Sequence, residues 1–342
     1  MQYIGIVRLD RIGDTVLTLP AVKLLKERYP DYKIVGIFNE YNSKLFLYNN
    51  RIIHPYFDAI EIFPVNLFYK QLNNFSFVFE FFNYLRTIFW KSKYTFDKIF
   101  VFSPTTTSYL LGLRISARKK YTYFYETRLN RVFFSSKYVH YNDPVDKDNL
   151  EDFSIVRHEI LQNIEVVKLD GIITENHIIR PELFVPDLDV AKYDVLVFDK
   201  ELFFFNDTAK NWMRIFVKVL LDELISFNRD LKVGFVSRRK QDFENCLNPD
   251  VMELLCLVRE ARCVVCFDGG IVHIASAFNT DIIAIFTNRY FDFDVRRWGP
   301  LSDRSRVVKL DIFEDYNLNL DLVSPVDFAK QIAFYVTEYI EK

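Results

Sequence analysis

Short apolar runs alternate with amphipathic stretches along most of the chain. Tyr3 to Leu9 is a β-rich run. Asp10-Arg11-Ile12-Gly13-Asp14 reads as a turn, and Thr15 to Tyr29 as a helix. Lys33 to Phe38 and Lys98 to Phe102 are further strands, and Phe81 to Trp90 a further helix. Phe153 to Lys168 is amphipathic, with Ile155, Ile160, Ile164 and Val167 near one face. Asp170 to Asp189, carrying Pro181 and Pro186, shows little periodicity and reads as a linker. The alternation then resumes. Val195 to Asp199, Leu231 to Ser237, Cys263 to Phe267 and Asp281 to Phe286 are strands; Lys210 to Phe227, Val251 to Glu260 and Ile271 to Phe278 are helices. Ser324 followed by Pro325 is a helix start, an N-cap with proline at the first position, and predicts a helix to the end of the chain.

Such alternation predicts parallel sheets covered on both faces, with ligands at the carboxyl ends of the strands. With 342 residues, half of them hydrophobic, the chain is long for one core and suits two α/β domains. The expected division is 1–170, a linker over 171–190, a second domain over 191–323 and a terminal helix over 324–342. Two strand-to-helix turns stand out. One is Leu9 to Asp14. The other is Asp268-Gly269-Gly270-Ile271, where the glycines allow a sharp turn and the first helix amides form an anion site strengthened by the helix dipole. One such turn in each half points to a phosphorylated ligand held by two domains.

Composition narrows the picture. Lys and Arg total 44 against 46 Asp and Glu, so overall charge gives no argument for nucleic acid. Met1 leads straight into a strand, and no apolar run reaches membrane-spanning length, so a cytoplasmic protein is expected. Cys263 and Cys266 sit in a strand pattern that points them to opposite faces, and they read as buried structural thiols. Asp292 and Asp294 form an Asp-x-Asp in an aromatic loop without further acids, and read as surface rather than as metal ligands. Phe63 to Phe102 is dense in aromatics. Arg114, Arg118, Lys119, Lys120, Arg128, Arg131 and Lys137 then gather against Glu126 alone. That basic stretch reads either as a solvated face or as a surface for an anionic lipid.

The residues resemble a known family. Ile6 to Ala21 is similar to the opening of the lipopolysaccharide heptosyltransferases, glycosyltransferase family 9, and Val22 to Tyr29 with Pro30 continues the likeness. His158-Glu159-Ile160-Leu161-Gln162-Asn163 resembles the family's helix before the linker, Lys210-Asn211-Trp212 its Lys-x-Trp element, and Asp268 to Ala275 with Ile285-Phe286 its donor-binding turn. The resemblance implies a GT-B-type fold, two Rossmann-like domains with parallel sheets facing across a cleft, the acceptor on the first and the nucleotide-sugar on the second. It implies inverting transfer of heptose from ADP-heptose to a lipopolysaccharide or lipooligosaccharide core acceptor, with no metal and no cofactor. The chain departs from the family in three places: the loop from Lys200 to Thr208 replaces small residues, Gly269 stands where Ser or Thr is common, and Thr287-Asn288-Arg289-Tyr290 follows the last strand.

Inverting transfer needs a base for the acceptor hydroxyl. Asp14 is the candidate by resemblance, and a helix cap by local rules; Asp10 is the second choice. Arg8, Asp10, Arg11 and Gly13 are candidates for the acceptor side. On the donor side the candidates are Lys210, Thr208, Asp268, Gly269, Gly270, Ile271 and His273. Asp268 would meet a sugar hydroxyl or fix its own turn, and His273 would orient phosphate or be structural. Rival readings are transfer of another nucleotide-sugar to a surface glycan, an epimerase or hydrolase on the same fold, and a non-catalytic sugar-nucleotide-binding module. Lipid-linked acceptors would bring the protein to the cytoplasmic face of the inner membrane.

Overall fold

The computed structural model describes residues 1–64, 85–103, 105–124, 137–140, 156–174, 178–200, 203, 206–238, 246–315 and 317–341. Most of the aromatic stretch, the basic residues Arg128 and Arg131 with Glu126, and Ile155 lie outside them. Among the described residues the chain divides into two compact units, one ending at Phe184 and the other starting at Val185.

The first unit is built on six parallel strands: β1 (Tyr3–Arg8), β2 (Lys33–Phe38), β3 (Ala59–Ile62), β4 (Phe96–Val101), β5 (Ala117–Phe124) and β6 (Lys137–His140), in the order 3-2-1-4-5-6. Its helices include α1 (Ile12–Val16), α2 (Leu19–Arg28), α3 (Glu40–Ser43), α4 (Thr106–Arg114) and α5 (Glu159–Lys168). Ile4, Ile6 and Val7 are buried, as are Ile34, Val35 and Ile37, because a parallel sheet is covered on both faces. The strand order reverses between β1 and β4. In doubly wound sheets ligands sit at the carboxyl ends of the strands flanking such a switch point.

The second unit has five parallel strands: β7 (Val195–Phe198), β8 (Val233–Val236), β9 (Cys263–Phe267), β10 (Asp281–Thr287) and β11 (Ser305–Leu310). Counted from β7, their order is 2-1-3-4-5, and the switch point falls between β7 and β9. The helices include α6 (Asp207–Phe227), α7 (Val251–Glu260), α8 (Gly270–Phe278), α9 (Phe291–Trp298) and α10 (Pro325–Ile340). Helices α6 and α10 pack together over one face of the sheet. Trp212 stacks on Phe203 and Phe216 with centroids 5.0 and 5.5 Å away, and its Nε1–H donates to the Val323 carbonyl at 2.9 Å. The Lys-x-Trp tryptophan is therefore a core residue. Such aromatic pairs add about 0.5–1.5 kcal/mol each beyond burial.

Several expectations are met closely. β2, α7 and β9 have the predicted limits, and α10 starts at Pro325 with Ser324 as its cap. Cys256, Cys263 and Cys266 are buried free thiols, with burial pushing the Cys263 and Cys266 thiols well up. Others need correction. The helix expected over Thr15–Tyr29 is two helices, α1 and α2. Pro20 has no amide to bond back to Val16, and its ring crowds that carbonyl. The helix expected from Phe153 begins at Glu159, where the His158 ring accepts from the Ile160 amide at 3.3 Å. Asp292 and Asp294 lie in the first turn of α9, not in a loop. β5 and β11 escaped the pattern because lysines and arginines interrupt both; β11 is an edge strand, where charge is tolerated.

Candidate active site

In the first unit the crevice at the switch point is organised around one buried cation. Arg8 ends β1 and is 1 % exposed. Its Nη1 donates to the Phe102 carbonyl beyond β4 at 2.6 Å, so it ties the two strands flanking the crevice. Three carboxylates surround it: Asp10 at 2.7 Å, Asp14 at 3.5 Å and Glu159 at 3.7 Å. The Asp10 contact is a charge contact and not an aligned hydrogen bond, since both Arg8 Nε and Asp10 Oδ1 lack a well-directed partner. Asn163, one turn beyond Glu159 on α5, completes the wall. Its Oδ1 accepts from Tyr123 at 2.7 Å and from Arg8 at 3.4 Å, and its Nδ2 donates to the Leu17 carbonyl at 3.0 Å.

The turn carrying the acids is itself pinned. Asn39 donates to the Leu9 and Asp10 carbonyls, both at 2.9 Å, and Asn42 to the Asp10 carbonyl at 2.8 Å and to Thr15 Oγ1 at 2.7 Å. Both asparagines are buried in and before α3, so the turn is held before any ligand arrives. Arg11, at the surface, occupies the N-cap position of α1 and Gly13 is buried within it. Asp14 is the third residue of that helix and makes no capping bond, so the cap reading fails. Its side chain is 24 % exposed against 14 % for Asp10 and 1 % for Glu159, which makes it the most accessible of the three acids.

One guanidinium against three acids leaves excess negative charge in a desolvated place. Burial would discharge Arg8, but Asp10, Asp14 and Glu159 outweigh it and hold the guanidinium firmly protonated. Burial also pushes Asp10 up to about 7, Asp14 adding to the rise and Arg8 opposing it. Asp10 therefore binds its proton more tightly in the folded chain than in the unfolded one, where the ordinary value is 3.8. Its contribution to stability is full below about pH 4 and is lost as pH rises through about 7. Asp10→Asn should remove that slope. Denaturant unfolding of both proteins near pH 5 and pH 8 should show the variant gaining on the parent at the higher pH. An equal difference at both pH values would rule out this assignment.

In the second unit, Asp268 follows β9 and Gly269 precedes α8 with φ 151° and ψ −167°, a conformation essentially confined to glycine. An added Cβ would meet nothing nearer than the Phe267 carbonyl at 4.0 Å, so the constraint is the backbone and not space. A serine or threonine here would be strained, which accounts locally for one of the family departures. Asp268, Gly269, Gly270 and Ile271 are all partly exposed, and the first amides of α8 have no partner inside the helix. His273 is buried in α8 at 5 % exposure. Thr208 is exposed in the first turn of α6, and Lys210 lies 3.4 Å from Asp207 in the same turn. The cation at the Asp268 turn is Lys200: it donates to the Asp268 carbonyl and sits 3.4 Å from Asp268 Oδ2.

Sequence reasoning missed Glu159, Asn163, Asn39, Asn42 and Lys200. A Glu and an Asn four residues apart on the apolar face of α5 were a signal. Lys200 stood in the loop noted only as a departure. Among the described residues, no group of His, Cys, Asp and Glu is placed to hold a metal, and no helix is long and apolar enough to cross a membrane.

The comparisons agree with this architecture. Residues 247–319, which include the Asp268 turn and α8, match the family model for glycosyltransferase family 9 (heptosyltransferase). No curated protein matches the chain. The fold is shared end to end with solved structures. A glycosyl transferase family 9 protein from Veillonella parvula has a TM-score of 0.66 at 14 % identity, covering 100 % of this chain and 98 % of its own. The E. coli heptosyltransferase WaaC, solved with ADP, has a TM-score of 0.63 at 14 % identity, covering 99 % and 100 %. The E. coli ADP-heptose lipopolysaccharide heptosyltransferase II has a TM-score of 0.64 at 15 % identity, covering 99 % of each. The expected GT-B pair of Rossmann-like units is thus borne out, and within the second unit residues 247–319 match the glycosyltransferase family 9 (heptosyltransferase) model.

Proposed function

We propose that the protein is an inverting glycosyltransferase that moves heptose from ADP-heptose to a lipopolysaccharide or lipooligosaccharide core acceptor. The observation that carries this reading is the family match over the Asp268–Ala275 turn, on a fold whose other crevice presents an accessible carboxylate beside a buried arginine. An acceptor hydroxyl attacks the anomeric carbon in line. The new C–O bond forms as the bond to the diphosphate oxygen breaks, the hydroxyl proton passes to Asp14, and ADP leaves with the bonding pair. Asp14 would be the general base. Arg8 orients it, sharing its guanidinium with Asp10 and Glu159. The α8 amides and a lysine would balance charge on the departing diphosphate, a role that preorganised donors fill without a metal.

A lipid-linked acceptor would bring the chain to the cytoplasmic face of the inner membrane, where the exposed Arg114, Arg118 and Lys119 suit an anionic surface. The test of the donor is calorimetric titration with ADP, UDP and GDP. ADP is expected to bind tightest, by about tenfold or more, corresponding to ~1.4 kcal/mol. Preference for UDP or GDP would replace heptose with another nucleotide-sugar, and binding without turnover in any transfer assay would favour the non-catalytic module.

A further inference from the structure

Lys200 stands two residues beyond the carboxyl end of β7, and Asp268 follows β9 directly. Their contact therefore bridges the two strands that flank the second unit's switch point, the crevice where such sheets place ligands. The lysine and its partner are each about one-third exposed, so the ammonium group is reachable from solvent. Its nearest contact is a neutral carbonyl oxygen, and the carboxylate lies further off at 3.4 Å. Beside it, Gly269 and Gly270 open the start of α8 without side chains. Lys210 is differently placed, in α6 next to Asp207 of its own turn.

We propose that Lys200 is a cation that binds the diphosphate of the donor. This rests on the donor-site reading above. A phosphate oxygen carries more charge than the Asp268 carbonyl, so an arriving diphosphate displaces that contact and takes the ammonium as a compact point charge. The lysine has a second task. Asp268 would repel a diphosphate at the α8 terminus, and Lys200 between them screens that repulsion. The substitution of a lysine for the small residues usual after this strand then supplies charge at the crevice instead of abolishing the site.

The experiment titrates wild type, Lys200→Gln and Lys200→Arg with the nucleoside diphosphate that wild type prefers and with its nucleoside. Loss of a charge-assisted hydrogen bond predicts about 10- to 100-fold weaker diphosphate binding for Lys200→Gln. Nucleoside binding should stay within about twofold, and Lys200→Arg should retain most of the affinity, because a guanidinium also binds phosphate. Unchanged diphosphate affinity in Lys200→Gln overturns the assignment. So does equal loss of diphosphate and nucleoside, which would mark a structural role in the turn. If wild type binds no nucleoside diphosphate at all, the donor-site reading fails and this assignment fails with it.

Discussion

Asp14→Asn is expected to fold, to bind ADP as the parent does, and to lose at least about 10²-fold in turnover, the range for a removed general base. The structure makes the substitution clean. Arg11 and not Asp14 occupies the cap of α1, so no capping bond is lost. The Asp14 side chain is partly exposed, so no core packing is lost either. Arg8 keeps Asp10 at 2.7 Å and Glu159 at 3.7 Å, which preserves its compensation. Turnover with ADP-heptose and a core acceptor, measured beside ADP affinity and thermal stability, separates the roles. Near-normal turnover would remove Asp14 as base and direct attention to Asp10. A lowered melting temperature would assign it to the fold.

Arg8→Met should be far more damaging to stability than to any single contact. The side chain fits the space, but three acids, the Phe102 carbonyl and the Asn163 amide oxygen would lose their shared positive partner in a buried place. Removing one partner of a buried ion network costs on the order of 3–5 kcal/mol. For a unit of this size that corresponds to a fall in melting temperature on the order of 10 °C. Differential scanning calorimetry resolves such a change, and a fall under about 2 °C would mean the network carries little of the first unit's stability. Glu159→Gln is the useful companion, because it removes one excess charge while leaving the guanidinium paired with Asp10 and Asp14.

The two folds were legible because parallel strands are buried on both faces and so appear as bare apolar runs. Val195 to Phe198 and Cys263 to Phe267 could be read directly. Strands that carry several charges could not: Ser305–Leu310 mixes Arg and Lys with Val and Leu, and Ala117–Phe124 has three consecutive cations after its first residue. The candidate site was legible where one peptide turn contains it, at Asp10 to Asp14 and at Asp268 to Ile271. It was not legible where the fold draws residues from afar. Arg8 meets Glu159 and Asn163 across some 150 positions of sequence, and Lys200 meets Asp268 across 68. Spacing along a chain carries no trace of such meetings. The solvent-averse placement of a Glu and an Asn on an apolar helix face is the mark they leave.

All four cysteines lie in the second unit, and the first has none. Three of them are shielded within β9 and α7, where burial disfavours the thiolate that alkylating reagents require. The chain thus carries an internal clock for one half of itself. The rate at which Cys256, Cys263 and Cys266 become chemically reactive counts openings of the second unit, without a signal from the first. Any ligand that binds the second unit slows that clock in proportion to its occupancy, so the thiols would register such binding in the absence of any turnover.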